Sequence, residues 1–349
     1  MSTWDTDRFF TVIEELVLCH SPSGVEEEVN RYIQHWLDKL NVEHWQDEAD
    51  NIVIKIPGKT SDGAVAVTAH KDEIGALVKG IEAGGRLQVR RLGGAYPWVY
   101  GEGVVDLLGD KETISGILSF GSRHVSHESP HKSQQEGKAV HWETAWVETK
   151  LSTPELVKAG IRPGTRMVVG KHRKRPFRLG NHIASYTLDN KASVAILLGL
   201  AEQIDTPPVD VYLVASAKEE VGAVGALYFS QRQSLSRLIA LEICPLAKEY
   251  AIIDGPRPVL FSQDSYGLYD EILNQEILSA ASNVGIHLQQ AVVSQFGSDA
   301  SIAMKFGHVP RGACLSFPTQ NTHGYEIADL GAIANCLSVL TEYLNNGIG

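Results

Sequence analysis

At 349 residues, with hydrophobic types at 43% and charged types at 21%, the chain has the make-up of a globular protein with one large domain and one smaller one. Its formal net charge of −11 argues against nucleic acid or an anionic membrane as a general partner, and no apolar run approaches the roughly 20 residues that span a bilayer. Cys19, Cys244, Cys314 and Cys336 form no C-x-x-C pair and read as buried thiols of a reducing compartment; the acidic start Met1-Ser2-Thr3-Trp4-Asp5 has no basic-then-apolar leader, so a cytoplasmic location is expected.

Apolar positions recur at helical spacing over residues 8–18, break at Ser21-Pro22-Ser23-Gly24, and resume over 25–40 with Val29, Ile33, Trp36, Leu37 and Leu40 on one face. Residues 51–56 alternate like a strand and stop at Pro57-Gly58, and the continuous apolar run 64–69 suits a buried strand. From about Gly75 to Gly180 short alternating pieces, at 87–90, 103–108 and 113–118, are punctuated by glycines and predict a small β-rich module. Inside it, 119–141 reads as a long exposed loop and 152–160 as a short helix with Pro154 early and Gly160 at its end. Helix and strand then alternate again: helices over 192–203, 223–229, 272–284, 300–306 and 330–344, strands over 209–215 and 238–241. The expected fold is α/β. A mixed-sheet domain with helices on both faces (1–75 and 180–349) is interrupted by a small β-rich inserted domain (76–179).

Acids and histidines gather where the apolar runs end. His70-Lys71-Asp72 follows the run 64–69, and residues two apart on an extended segment face the same way, so His70 can ligate a metal while Asp72 orients it. Asp189 stands between the segment 183–188 and a helix, where its two oxygens can bridge cations about 3.5–4 Å apart. Glu219 and Glu220 are consecutive and cannot both grip one ion easily; one can ligate while the other acts as general base. Glu242 ends the next strand, and His323 sits in the loop Pro318-Thr319-Gln320-Asn321-Thr322-His323-Gly324. Taken singly, a strand-end acid is an ordinary surface group or helix cap, and a loop histidine is solvated. At successive strand ends of one α/β domain they share a sheet edge. Two imidazoles with three carboxylates suit zinc, cobalt or manganese.

Ala69-His70-Lys71-Asp72-Glu73-Ile74-Gly75, Leu188-Asp189-Asn190-Lys191, Glu219-Glu220-Val221-Gly222, Gly297-Ser298-Asp299-Ala300 and Asn321-Thr322-His323 occur in this order. Together they resemble the tetrahedral aminopeptidase family, also called cellulase-M-like or deblocking aminopeptidases, over nearly the whole chain. The resemblance implies a metallopeptidase domain that holds two divalent metal ions. His70 and Glu242 would bind one, Glu220 and His323 the other, and Asp189 would bridge them. Glu219 would be the general base and Asp72 the support of His70. It further implies that the insert is a dimerisation domain and that dimers assemble into a hollow tetrahedral dodecamer. Asp299 matches a family motif near the site. Three positions depart from the usual pattern: Glu242 replaces a common aspartate, Lys191 a frequent arginine, and Gln320 a basic residue.

The expected activity is metal-dependent hydrolysis of N-terminal residues from short peptides, with zinc foremost among the metals. The alternative is hydrolysis of another small amide or acylated metabolite on the same platform. Glycoside hydrolysis would need two carboxylates but no metal, and a metal-stabilised scaffold would need no catalysis at all. His124, His127, His131 and His141 lie in a polar, irregular stretch and are read as loop residues rather than a second metal site. Lys171-His172-Arg173-Lys174-Arg175 is read as a solvated linker or oligomer contact, not a nucleic-acid patch. No phosphate-binding glycine loop with its lysine is present.

Overall fold

Strand side chains alternate between two faces, and the run 64–69 shows the consequence. Val65, Val67 and Ala69 pack with Phe9, Ile13 and Leu197, whereas Ala64 and Ala66 pack with Phe229 and Ala300. The strand is thus covered on both sides, and each fully buried valine or leucine contributes about 1.5–3 kcal/mol. A computed structural model describes residues 3–122, 124 and 132–348. Its main body is an 11-stranded mixed sheet. Val209–Ser216, Thr60–His70, Leu235–Pro245 and Gly312–Gln320 run side by side and parallel at its centre. Antiparallel strands flank them: Ile52–Ile56 and His44–Gln46 on one side, Tyr325–Asp329, His182–Tyr186 and Phe177–Leu179 on the other.

One core cluster lies beneath the helices Thr6–Val17, Leu188–Gln203, Glu271–Asn283 and Leu330–Glu342, the other beneath Val224–Arg232 and Asp299–Lys305. Asp5 caps the first of these helices by accepting from the N–H groups of Asp7 and Arg8, as a residue with a short side-chain acceptor does at an N-cap. Among the described residues no helix is long and apolar enough to cross a membrane.

Between the strands Thr60–His70 and His182–Tyr186 the chain builds a separate closed barrel. Its strands run in the order Gly75–Ile81, Leu87–Leu92, Trp146–Glu148, Thr113–Ser119, Gly103–Leu108 and Arg166–Val169 around a core of their own. The short helix expected near 152–160 is Thr153–Ala159, with a capping box between Ser152 and Glu155 and Gly160 left-handed at its end.

The basic run 171–175 differs from its sequence reading. Lys174 is fully buried, paired with Glu73 and 3.2 Å from His20 Nδ1, and Arg173 donates to the carbonyl oxygens of Tyr100 and Val104. Two of its five side chains therefore knit the barrel to the main sheet instead of facing water. In the stretch 119–141, His124 is exposed, and His127 and His131 lie outside the described residues.

Candidate active site

The parallel strands all point their carboxyl ends to one edge of the sheet, which is where open α/β folds assemble sites. His70 is the last residue of its strand, Glu242 lies near the end of Leu235–Pro245, and Glu219 and Glu220 occupy a short turn just beyond Ser216. His323 follows Gln320, and Asp189 opens the helix after His182–Tyr186. The structure brings all these sequence-selected residues together.

Two overlapping groups of potential ligand atoms result. His70, Asp189 and Glu242 form one, Asp189, Glu220 and His323 the other, each with its atoms within 4.8 Å of one another. Asp189 belongs to both: Oδ1 lies 3.0 Å from His70 Nε2, and Oδ2 lies 3.5 Å from His323 Nε2. Glu220 Oε1 is 3.8 Å from His323 Nε2, and Glu242 Oε1 is 3.9 Å from His70 Nε2. Glu219 belongs to neither group; its Oε2 stands 3.9 Å from His70 Nε2. Among the described residues no other such group occurs, and His124 and His141 contribute to none.

Burial drives the Glu219, Glu220 and Glu242 carboxyls well above their ordinary range, and neighbouring carboxylates add to the effect. For His70, burial pulls the other way, but Glu242, Asp189 and Asp72 together hold its imidazole well above its usual value. The site is a buried concentration of negative charge, which protons or divalent cations relieve. Two imidazoles and three carboxylates, one of them shared, match the donor set of a paired-cation centre.

Behind the ligands stand Asp72 and Asp299, which the sequence singled out, and Glu326 and Glu26, which it did not. Asp72, fully buried, accepts from the N–H groups of Glu219 and Glu220 and from Ser23 Oγ. Glu326 accepts from Asp189 N–H and His323 N–H, both at 2.9 Å, so one buried carboxylate steers two candidate ligands. Asn190 Nδ2 donates to the Leu241 carbonyl at 2.8 Å, tying the Asp189 turn to the strand that carries Glu242. Asp299 Oδ2 accepts from Ser216 Oγ at 2.6 Å, below the turn that bears the acid pair. A buried pair, Lys71 with Glu26, closes the rear; Glu26 also accepts from Lys218 N–H.

The barrel reaches the site through its loop at Gly93-Gly94. A side chain at position 94 would bring its Cβ to 2.5 Å from His323 Cε1, so only glycine lets this backbone rest against the imidazole. The three unusual positions resolve differently. Glu242 is in the site. Lys191 is buried and donates to the Cys19 carbonyl at 3.0 Å, near the end of the first helix. Gln320 donates to Asp254 Oδ2 at 3.1 Å.

Comparison with known proteins bears on the family and the fold. The profile of the M42 glutamyl aminopeptidase family matches residues 50–339. The candidate aminopeptidase YhfE of Bacillus subtilis (strain 168) is 28% identical over 356 residues, spanning 96% of each chain. An aminopeptidase structure from the archaeon Desulfurococcus kamchatkensis superposes with a TM-score of 0.87 at 25% identity, covering 97% of this chain and 95% of that one. The TET1 peptidase of Pyrococcus horikoshii, which can assemble into a tetrahedron or a large octahedral shell, superposes with a TM-score of 0.86 at 20% identity over 97% and 99% of the two chains.

Proposed function

The chain belongs to the M42 glutamyl aminopeptidase family and is an aminopeptidase, and we propose that it removes N-terminal residues from short peptides with the help of two divalent cations. The observation that carries this reading is the sharing of Asp189 between two ligand groups. His70 and Glu242 would hold one cation, Glu220 and His323 the other, and Asp189 would bridge them. Bound there, zinc, cobalt or manganese would supply Lewis acidity toward the scissile carbonyl and the attacking water.

The protein's own groups do the rest. Glu219 lies outside both ligand groups and takes the proton of the attacking water on a carboxylate oxygen, then returns it to the leaving amine. Asp72 fixes the Glu219 backbone, so the base keeps its place while the proton moves. The barrel is the dimerisation module of this reading, within an inserted domain spanning 76–179, and the assembled state is a homo-oligomer, either a dimer or a tetrahedral dodecamer.

The test is an assay of chelated protein against aminoacyl p-nitroanilides, before and after restoring zinc, cobalt or manganese singly. Metal-restored release from free but not from acetylated N-termini is the expected result. Release that persists after complete removal of metal, or that occurs only with acylated substrates, would overturn it.

A further inference from the structure

The cleft that opens onto the candidate ligands holds about 270 Å³. Apart from those ligands, Glu219 and three glycines, its lining consists of Tyr266, Gln295 and Phe296. Gly94 and Gly222 offer no side chain on their parts of the wall, so these three supply the cleft's side-chain surface besides the ligands and Glu219.

All three are neutral, and two are aromatic rings held in place. Ser265 N–H donates to the Phe296 carbonyl at 2.9 Å, and Phe296 N–H donates to Ser265 Oγ at 3.0 Å, which locks the two loops together. The Tyr266 ring lies against Gly297, where any Cβ would approach Tyr266 Cε2 to 2.2 Å. The Phe296 ring meets Phe261 edge-on, with centroids 5.4 Å apart. Lys305 Nζ sits 5.1 Å from the centre of the Tyr266 ring and is not part of the cleft lining. An acidic substrate side chain would thus leave water for a wall without a counter-ion, whereas an apolar one would exchange water for ring surface.

We propose that Tyr266 and Phe296 seat the N-terminal side chain of the substrate and select large apolar residues over acidic ones, despite the glutamyl name of the family. The proposal rests on the aminopeptidase reading above and names its substrate class.

Metal-restored protein is assayed with the p-nitroanilides of phenylalanine, leucine, alanine, lysine and glutamate. The expected kcat/KM for phenylalanine and leucine exceeds that for alanine by about 10-fold and that for glutamate by about 100-fold, in line with the discrimination an apolar pocket can deliver. Tyr266→Ala should lower the phenylalanine-to-alanine ratio about 10-fold, mainly through KM. Gln295→Arg should raise the glutamate-to-phenylalanine ratio by at least about 10-fold, a gain that misfolding cannot mimic. A wild-type preference for glutamate or lysine, or an unchanged phenylalanine-to-alanine ratio in Tyr266→Ala, would overturn this proposal and leave the aminopeptidase reading standing. Cleavage of no anilide by protein carrying both cations would overturn both.

Discussion

Glu219 N–H donates to Asp72 Oδ1 at 2.9 Å, joining the candidate general base to the residue that follows the His70 strand. The other Asp72 oxygen accepts from Glu220 N–H at 3.3 Å and from Ser23 Oγ at 2.6 Å. One buried carboxylate therefore sets the backbone of both glutamates. This lets their side chains diverge, Glu220 into a ligand group and Glu219 away from it.

Glu219→Gln keeps size and shape but removes the proton acceptor. Turnover is expected to fall by about 10²–10⁴-fold, the usual scale of general-base catalysis, while metal analysis still finds both ions. Near-normal turnover would dismiss Glu219 as the base.

Asp72→Ala removes the anchor without touching the base. About a 10–100-fold loss in metal affinity or activity is expected, as for other groups that orient ligands. Paired measurement of kcat and of cation binding by calorimetry would check it, and loss of neither would show that the turn keeps its shape unaided.

Glu326→Gln tests the carboxylate that grips Asp189 and His323 together. Its amide group cannot accept where both native oxygens do, so one backbone N–H loses its partner. The cation held by Glu220 and His323 is expected to bind about 10–100-fold more weakly. A titration of metal stoichiometry against free ion reads this directly; equal occupancy of both sites in variant and wild type would count against it.

Removing metal should destabilise the fold, because the native state loses the binding free energy of the cations and its clustered carboxylates must take up protons instead. Adding back a binding cation at 100 times its Kd stabilises the native state by about 2.7 kcal/mol per site. Thermal melts of chelated and reloaded protein are expected to show a clear rise in Tm with zinc, cobalt or manganese and none with sodium at equal ionic strength.

Asp106 offers a pH test away from the site. Burial raises its carboxyl, but hydrogen bonds from His20, the Lys171 N–H and Ser115 Oγ outweigh this and hold it well below the usual carboxylate range. A depressed folded-state pKa means that its stabilisation is complete above the unfolded value, near 3.9, and is lost as pH falls below it. Asp106→Asn should cost roughly 1.5–3 kcal/mol at pH 7, and the gap in Tm to wild type should narrow between about pH 5 and pH 3. A gap that stayed constant through that window would remove Asp106 ionisation from the stability of the junction.

Much of this was legible in the chain. The run 64–69 announces a strand covered on both faces, because its apolar residues are continuous and a strand alternates. His70, Glu219, Glu220, Glu242 and His323 could be picked out because each stands at or just after an apolar run, and a run's end is a local property. Glu326 carries no such mark. It sits in a short polar-looking strand, and its role depends on Asp189, 137 residues away in sequence. Ser23 likewise meets Asp72 across 49 residues.

The basic run 171–175 shows the same limit from the other side: charge density suggested solvent, yet Lys174 is buried because Glu73, 101 residues earlier, supplies its counter-charge. Periodicity and punctuation, set by the geometry of single strands and helices, predicted from sequence alone the α/β body and the β-rich insert and singled out acids and histidines at the ends of apolar runs, while the motif resemblance implied their roles. Only the tertiary structure decided which buried carboxylate steers Asp189 and His323 from behind and which rings wall the cleft, because those outcomes depend on distances between segments that the covalent chain leaves free.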